Sequence, residues 1–370
     1  MKLENQDIII VSNEPWEDIW FSKHYYAHEL SIKNKVLFFN PPGKWEAANF
    51  FSKKIHSKKI SANLEIVNYQ NYFPFTLKFS IINYINNFLI YKLINTFLKK
   101  AKKQNIIFWS FDPYRLHHPA KLNAHFSIYH CMDYYKNNEE VLLWKNVDLI
   151  ISVSKQLIDR FPKIIKPFAI IPHGIVDSLL PVGNEYYELQ NNVVLIGSIG
   201  HRTDYELLCK FAEKFKNYTL KIIGKIDKNN FSENDTNFFN QLEKLNNVIF
   251  TGAMPFGKLQ DEIIKSKLCL CCYKGSNISS LKIMQYIALG KPVISTYMQG
   301  FDIPEIKDFV CLTKSHEEFL TKAEHSINLG NTPELREKRI NYSREFTYSK
   351  LILKIENEIE LTLKLKKDSK

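Results

Sequence analysis

Short apolar segments rich in β-branched residues alternate with helical stretches along this chain, and the series runs twice. The first run contains "DIIIVS" (Asp7 to Ser12), "KVLFFN", "NIIFWS" (105–110), "FSIYHC" (126–131) and "VDLIISVS" (147–154). Their apolar residues are consecutive, the pattern of strands buried on both faces of a parallel sheet. A helix pattern across "WFSKHYYAHELSI" separates the first two. The series restarts at "NVVLIGSIG" and continues through "YTLKIIG", "NVIFTG", "KLCLCCY" and "KPVIST". The expected fold class is therefore α/β, with two Rossmann-like parallel-sheet domains facing a cleft. The spacing sets an N-terminal domain over 1–176, a second over 190–340, and a C-terminal helical segment over 341–370. "VDSLLPVGNEYYELQNN" is the linker, and Leu351, Ile355 and Ile359 give the last segment a helical stripe. A chain of 370 residues also exceeds one small core. Ligands of such sheets bind beyond the carboxyl ends of the strands, so the cleft is the expected site.

Several classes fall away at this stage. Neither domain has G-x-G-x-x-G after its first strand or a G-x-x-x-x-G-K-[ST] loop, which argues against a nicotinamide dehydrogenase and a P-loop ATPase. The six cysteines form no C-x-x-C pair, and three crowd into "LCLCCY", as buried free thiols of a reducing compartment do. No D-x-D pair or ligand cluster predicts a metal, and no cofactor is expected. The opening "MKLENQDIIIVS" lacks the pattern of a secretory signal, and no apolar run is long enough to span a bilayer.

Charge points in a definite direction. The net charge is +11, and between Phe50 and Lys103 ten lysines stand against one acid, Glu65. The same segment carries "FPFTLKFSIINYINNFLIYKLINTFLKKAKK", apolar and aromatic but broken by Asn83, Asn86, Asn87 and Lys92. Such a segment suits an anionic membrane surface, and equally a buried helix with solvated lysines at its ends. Nucleic acid lacks any supporting motif. The expected location is cytoplasmic, peripheral on the inner face of the cell membrane.

The stretch "SSLKIMQYIALGKPVIST" (Ser279 to Thr296) is the most informative. Ser279 or Ser280 can cap a helix that Gly290 and Pro292 stop. Lys282 and Gln285, three apart, share a face of it. A helix N-terminus with a lysine in its first turn favours an anion such as a diphosphate; a solvated surface lysine has the same sequence. Gly197 and Gly200, flanking Ile199 in "IGSIG", permit close backbone approach to phosphates or simply a tight turn.

The order of "IGSIGHRTDYELL", "IIGKI", "NVIFTGAMPFGKL" and "LKIMQYIALGKPVIST" between Val193 and Thr296 resembles the donor-binding half of the GT-B glycosyltransferases. "IPHGI" near the domain junction is common there too. Retaining members carry two glutamates eight apart, the second just before Tyr-x-Ala-x-Gly; Asn277 and Gln285 stand at those places. The Lys282, Gln285, Tyr286 pattern is instead similar to the xanthan-type, inverting glucuronosyltransferases, and more distantly to the teichuronic-acid enzymes. This resemblance implies a transferase moving a sugar, with glucuronate a candidate, from a UDP-sugar to a lipid-linked or saccharide acceptor in bacterial surface polysaccharide synthesis. It implies that Tyr273, Lys282 and Gln285 contact the donor, with Gly197, Ile199 and Gly200 lining the same site.

Inverting transfer to a hydroxyl needs a general base. "YHCMD" ends a strand at Asp133, and the xanthan-type Tyr-x-x-x-Asp carries the catalytic aspartate at that point. Capping of the next segment is the alternative for Asp133. His24 and His130 remain competing bases, and Asp112 before Pro113 reads as a turn residue. Two other functions share the pattern: a nucleotide-sugar 2-epimerase, and a non-catalytic scaffold on the same fold.

Overall fold

The recurring apolar segments become strands of two sheets. The computed structural model describes residues 2–18, 20–46, 55–74, 79–135, 139–161, 163, 165–181, 188–275 and 279–368. The chain divides into one unit of Met1–Pro172 with Tyr348–Lys370 and a second of His173–Thr347.

In the first unit the strands are β1 (Asp7–Val11), β2 (Lys35–Phe39), β3 (His56–Lys59), β4 (Leu64–Asn68), β5 (Ile106–Ser110), β6 (Ala124–Cys131), β7 (Leu149–Ser152) and β8 (Phe168–Ile170). They order as β3-β4-β2-β1-β5-β6-β7-β8, all parallel except the β3–β4 pair. Ile8, Ile9, Ile10 and Val11 of β1 are buried, as are all five residues of β5, which explains their unbroken apolar runs. β3 and β4 form an edge hairpin that the sequence pattern does not reveal, because "HSKK" of β3 is wholly exposed. Lysines on such an edge discourage pairing with another chain. The helices are α1 (Ser22–Leu30), α2 (Ser80–Lys100), α3 (Glu140–Asn146) and α4 (Lys155–Asp159).

The order reverses at β1, which has β2 on one side and β5 on the other. Val11 lies level with Ser110, and Ser110 with Tyr129. The segments leaving β1, β5 and β6 thus emerge together at a topological switch point, where open α/β sheets bind ligands.

The second unit is a parallel sheet of β9 (Asn192–Ile196), β10 (Thr219–Ile223), β11 (Val248–Gly252), β12 (Leu268–Cys271), β13 (Val293–Thr296) and β14 (Val310–Thr313), ordered β11-β10-β9-β12-β13-β14. Its switch point lies between β9 and β12. Helices α5 (Tyr205–Lys214), α6 (Glu233–Glu243), α7 (Phe256–Lys265), α8 (Leu281–Ala288), α9 (His316–Leu329) and α10 (Pro333–Ser343) cover both faces over two apolar cores. All six cysteines are free, and five are buried.

The final helix, α11 (Tyr348–Asp368), buries Leu351, Ile355 and Ile359 as its stripe requires. It is part of the first unit rather than a segment of its own. Its Tyr348 ring packs edge-on against Tyr26 of α1 at 4.9 Å, and Glu356 accepts the Leu3 N–H at 2.5 Å.

Candidate active site

In the second unit, α8 holds the charged centre. Ile283, Met284, Tyr286 and Ile287 anchor its inner face, which leaves Lys282 and Gln285 half-buried on the opposite side. Ser280 occupies the N-cap, but its side chain makes no capping bond; its hydroxyl instead accepts from Cys271 Sγ at 3.9 Å. The helix stops as glycine chemistry dictates: Gly290 has φ +74°, and the Lys291 N–H reaches back to Tyr286 O at 3.0 Å. Arg339 donates to the carbonyls of Gly290 (3.2 Å) and Gly330 (2.8 Å), a buried cation at a helix C-terminus.

The Lys282 ammonium donates to the Tyr273 hydroxyl and lies 5.0 Å from the centre of that ring. Its stem crosses the turn after β9. A Cβ on Gly197 would meet Lys282 Cε at 2.1 Å, and Gly197 has φ +111°, so glycine is required there on both counts. No carboxylate lies within ion-pair distance of Lys282 among the described residues. Burial lowers its pKa, and Arg202 adds cationic repulsion. Burial raises the Tyr273 hydroxyl's pKa. Tyr273 is itself fixed by a bridge to Thr203 and by its N–H bonding Thr296 Oγ1 at 3.0 Å.

The remaining donor-side residues divide by what they already satisfy. The Gly197 N–H bonds Ile223 O, and the Gly200 N–H bonds Thr203 Oγ1 at 3.3 Å. Ile199 turns its side chain into the core and its N–H to Lys225 O at 3.0 Å, which leaves it nothing polar to offer a ligand. Tyr286 is a structural partner of β9: its hydroxyl accepts the Ile196 N–H at 2.9 Å. The Gln285 amide makes no hydrogen bond among the described residues. Asn277 lies outside them.

In the first unit Asp133 follows β6 and is exposed. Its two rivals are enclosed. His24 is fully buried, with Nδ1 accepting the Phe21 N–H (2.9 Å) and Nε2 facing Pro15 O (3.0 Å). Burial lowers its pKa to about 4, so it remains neutral. His130 is fully buried and stacks on Phe111, with centroids 4.9 Å apart. Asp112 takes the turn role, accepting the Tyr114 N–H at 2.7 Å, and it also pairs with Arg115.

Lys23 completes this region and has no sequence signature. It is buried, and its ammonium donates to Asn13 Oδ1 at 2.5 Å. Burial lowers its pKa to about 8 against the attraction of Glu14, Asp133 and Asp112. Among the described residues no cluster of three His, Cys, Asp or Glu side chains is arranged to hold a metal ion.

Comparison with solved structures identifies the architecture first. Sucrose-phosphate synthase of Thermosynechococcus elongatus superimposes with TM-score 0.69 at 14% identity, covering 98% of this chain and 100% of its own. A glycosyltransferase of Rickettsia africae gives 0.65 at 14%, covering 97% and 99%. HepE of Anabaena, in complex with UDP and glucose, gives 0.67 at 12%, covering 96% and 100%. The two-sheet design is the GT-B fold. No curated protein matches the chain in sequence. Residues 190–328 match the family model described as "Glycosyl transferases group 1". The match lies within the second unit, which is thus similar to the group 1 glycosyl transferases.

Proposed function

We propose that this protein is a glycosyltransferase that moves a sugar from a UDP-sugar to the hydroxyl of a lipid-linked or saccharide acceptor, with inversion, in bacterial surface polysaccharide synthesis. The observation that carries the donor side is Lys282, a half-buried cation balanced by no acid among the described residues and held over the Gly197 turn by Tyr273. Such a cation is stabilised by an incoming diphosphate and then stabilises that diphosphate as leaving group. Gln285, one turn on, offers an amide to the sugar. An amide avoids the repulsion that a glutamate would exert on a uronate, which favours glucuronate as the sugar. The HepE complex with UDP and glucose supports a uridine nucleotide on this fold.

Asp133 is the proposed base: it accepts the acceptor's proton as the hydroxyl attacks the anomeric carbon. Its exposure and the enclosure of His24 and His130 favour it. No metal or cofactor is assigned a role.

The acceptor's lipid is supported by α2. Its inward face carries Asn83 and Asn86, and Asn86 bonds both the N–H and the O of Phe73 (2.9 and 3.0 Å). Its outward face carries Phe79, Ile81, Tyr84, Ile85 and Phe88, between 40% and 66% exposed. In its first turns α2 thus turns apolar side chains outward and amides inward, before Ile90, Tyr91, Ile94 and Leu98 restore an apolar inner face, and Lys92, Lys99 and Lys100 follow along the same helix. A membrane surface is the partner for such a face. No described helix is long and apolar enough to cross a bilayer.

Calorimetric titration with UDP, UDP-glucuronate and UDP-glucose tests the donor reading. Wild type should bind UDP, and Lys282→Ala should bind it tenfold or more weakly, about 1.4 kcal/mol. Absence of uridine nucleotide binding to wild type would remove the UDP assignment. Retained affinity in Lys282→Ala would remove the role of Lys282.

A further inference from the structure

We infer that Tyr129, Glu140 and Arg160 form a buried clamp that positions Asp133, with Arg160 the positioning residue that grips the Asp133 segment. The inference rests on the reading of Asp133 as the base.

Glu140, in the first turn of α3, is fully buried. Arg160, just past α4, meets it with two bonds: NH2 to Oε1 at 2.7 Å and NH1 to Oε2 at 2.9 Å. The Tyr129 hydroxyl donates to the same Oε1 at 2.7 Å, and Trp144 Nε1 approaches it at 3.4 Å. Bidentate pairing and these extra donors set the guanidinium plane. The outer side of that plane then holds the segment leaving β6. NH1 donates to Tyr135 O at 3.4 Å, NH2 lies 3.3 Å from Cys131 Sγ, and the guanidinium sits 5.0 Å from the centre of the Tyr134 ring. Cys131 Sγ in turn donates to Asp133 O at 3.4 Å. Arg160 therefore contacts the residue two before Asp133 and the two after it.

This gives the tyrosine of Tyr-His-Cys-Met-Asp a task. Four residues along a strand from Asp133, Tyr129 points into the core rather than toward a substrate, and it acts through Glu140 and Arg160. A buried ion pair is a weak source of stability, and its better use is in fixing one geometry. A base must be held within hydrogen-bond reach of the hydroxyl it deprotonates, and a misplacement of about 1 Å can cost about 100-fold in rate.

The test compares Arg160→Gln, Arg160→Lys, Tyr129→Phe and Asp133→Asn in the full chain. The assay follows UDP release from UDP-glucuronate with an alkyl-diphosphate-linked disaccharide as acceptor. Amide hydrogen exchange of residues 132–135 is measured in parallel, so that a result does not depend on turnover. Arg160→Gln should lower kcat about 10- to 100-fold with both KM values within about twofold. Arg160→Lys should recover part of the loss, and Tyr129→Phe should give a smaller loss of the same kind. In an Asp133→Asn background, Arg160→Gln should cost nothing more. Exchange at 132–135 should rise in Arg160→Gln while the β1 and β5 amides stay protected. An equal loss in both backgrounds would overturn the clamp, as would unchanged exchange at 132–135. If Asp133→Asn leaves turnover intact, the base assignment itself fails, a result separate from the exchange outcome. Tyr129→Phe keeps every charge in place and carries the test should Arg160→Gln fail to fold.

Discussion

The two switch points solve opposite electrostatic problems. In the second unit, Lys282 meets a tyrosine hydroxyl and the face of its ring, with no carboxylate within ion-pair distance among the described residues. In the first, the cations Lys23 and Arg115 sit among the carboxylates Glu14, Asp112 and Asp133. A site with a cation and no acid is completed by an anionic ligand. A site that already contains its anions suits a neutral ligand and has a carboxylate available for a proton. In the proposed reading, the same β-sheet geometry serves a diphosphate at one switch point and a hydroxyl at the other.

The contrast can be broken most directly at Asp133. Asp133→Asn should lower kcat by about 10²- to 10⁴-fold while leaving UDP affinity within about twofold. A calorimetric loss of UDP affinity in that variant would show that the two sites do not divide the work as described.

Lys23 gives the next effect, on stability. Its ordinary pKa of 10.5 falls to about 8 in the folded chain. The unfolded chain therefore binds more protons between those values, and wild-type stability rises with pH across that window. Lys23→Met, which buries no charge, should be more stable by about 2 kcal/mol at pH 7, an advantage that shrinks above pH 8. Denaturant titrations at several pH values would measure it; a constant difference would show that Lys23 is not desolvated at this cost.

On the donor side, Gly197→Ala forces a side chain into the space of Lys282 and should weaken UDP binding about tenfold, or 1.4 kcal/mol, by calorimetry. Tyr273→Phe removes only the hydroxyl that holds the ammonium. A loss of about 0.5–1 kcal/mol in UDP affinity, typical of one hydrogen bond, is expected. A larger loss in Tyr273→Phe than in Gly197→Ala would show that Tyr273 touches the ligand itself.

Much of this architecture can be read in the chain, and the reasons are local. The core strands β1, β5 and β9 have unbroken apolar runs because both their faces are buried, and α8 ends at Gly290 because only glycine suits that φ. The β3–β4 hairpin cannot be read, since its edge strand buries nothing. The site is legible where one element supplies it, as with Lys282 and Gln285 on one helix. Lys23 and Arg160 escape because their roles arise from residues 10 and 20 positions away in sequence, Asn13 and Glu140. Periodicity reports which face is inward, not which polar atom waits there. In the first turns of α2 it misleads, because Asn83 and Asn86 point inward while Tyr84, Ile85 and Phe88 point outward.

The assignment of α11 to the first unit has a consequence for how the protein is made. His173–Thr347 is one continuous stretch, whereas the first unit joins Met1–Pro172 to Tyr348–Lys370. During synthesis the second unit's whole sequence leaves the ribosome before the helix that covers Tyr26 and bonds Leu3. Domains fold as units in the order of their synthesis. Here the unit that starts first must be finished last, and its Tyr25–Tyr26 surface stays open until α11 arrives. A nascent chain halted before Tyr348 would hold a completed second unit and an uncovered first one, the state most exposed to chaperones and to aggregation.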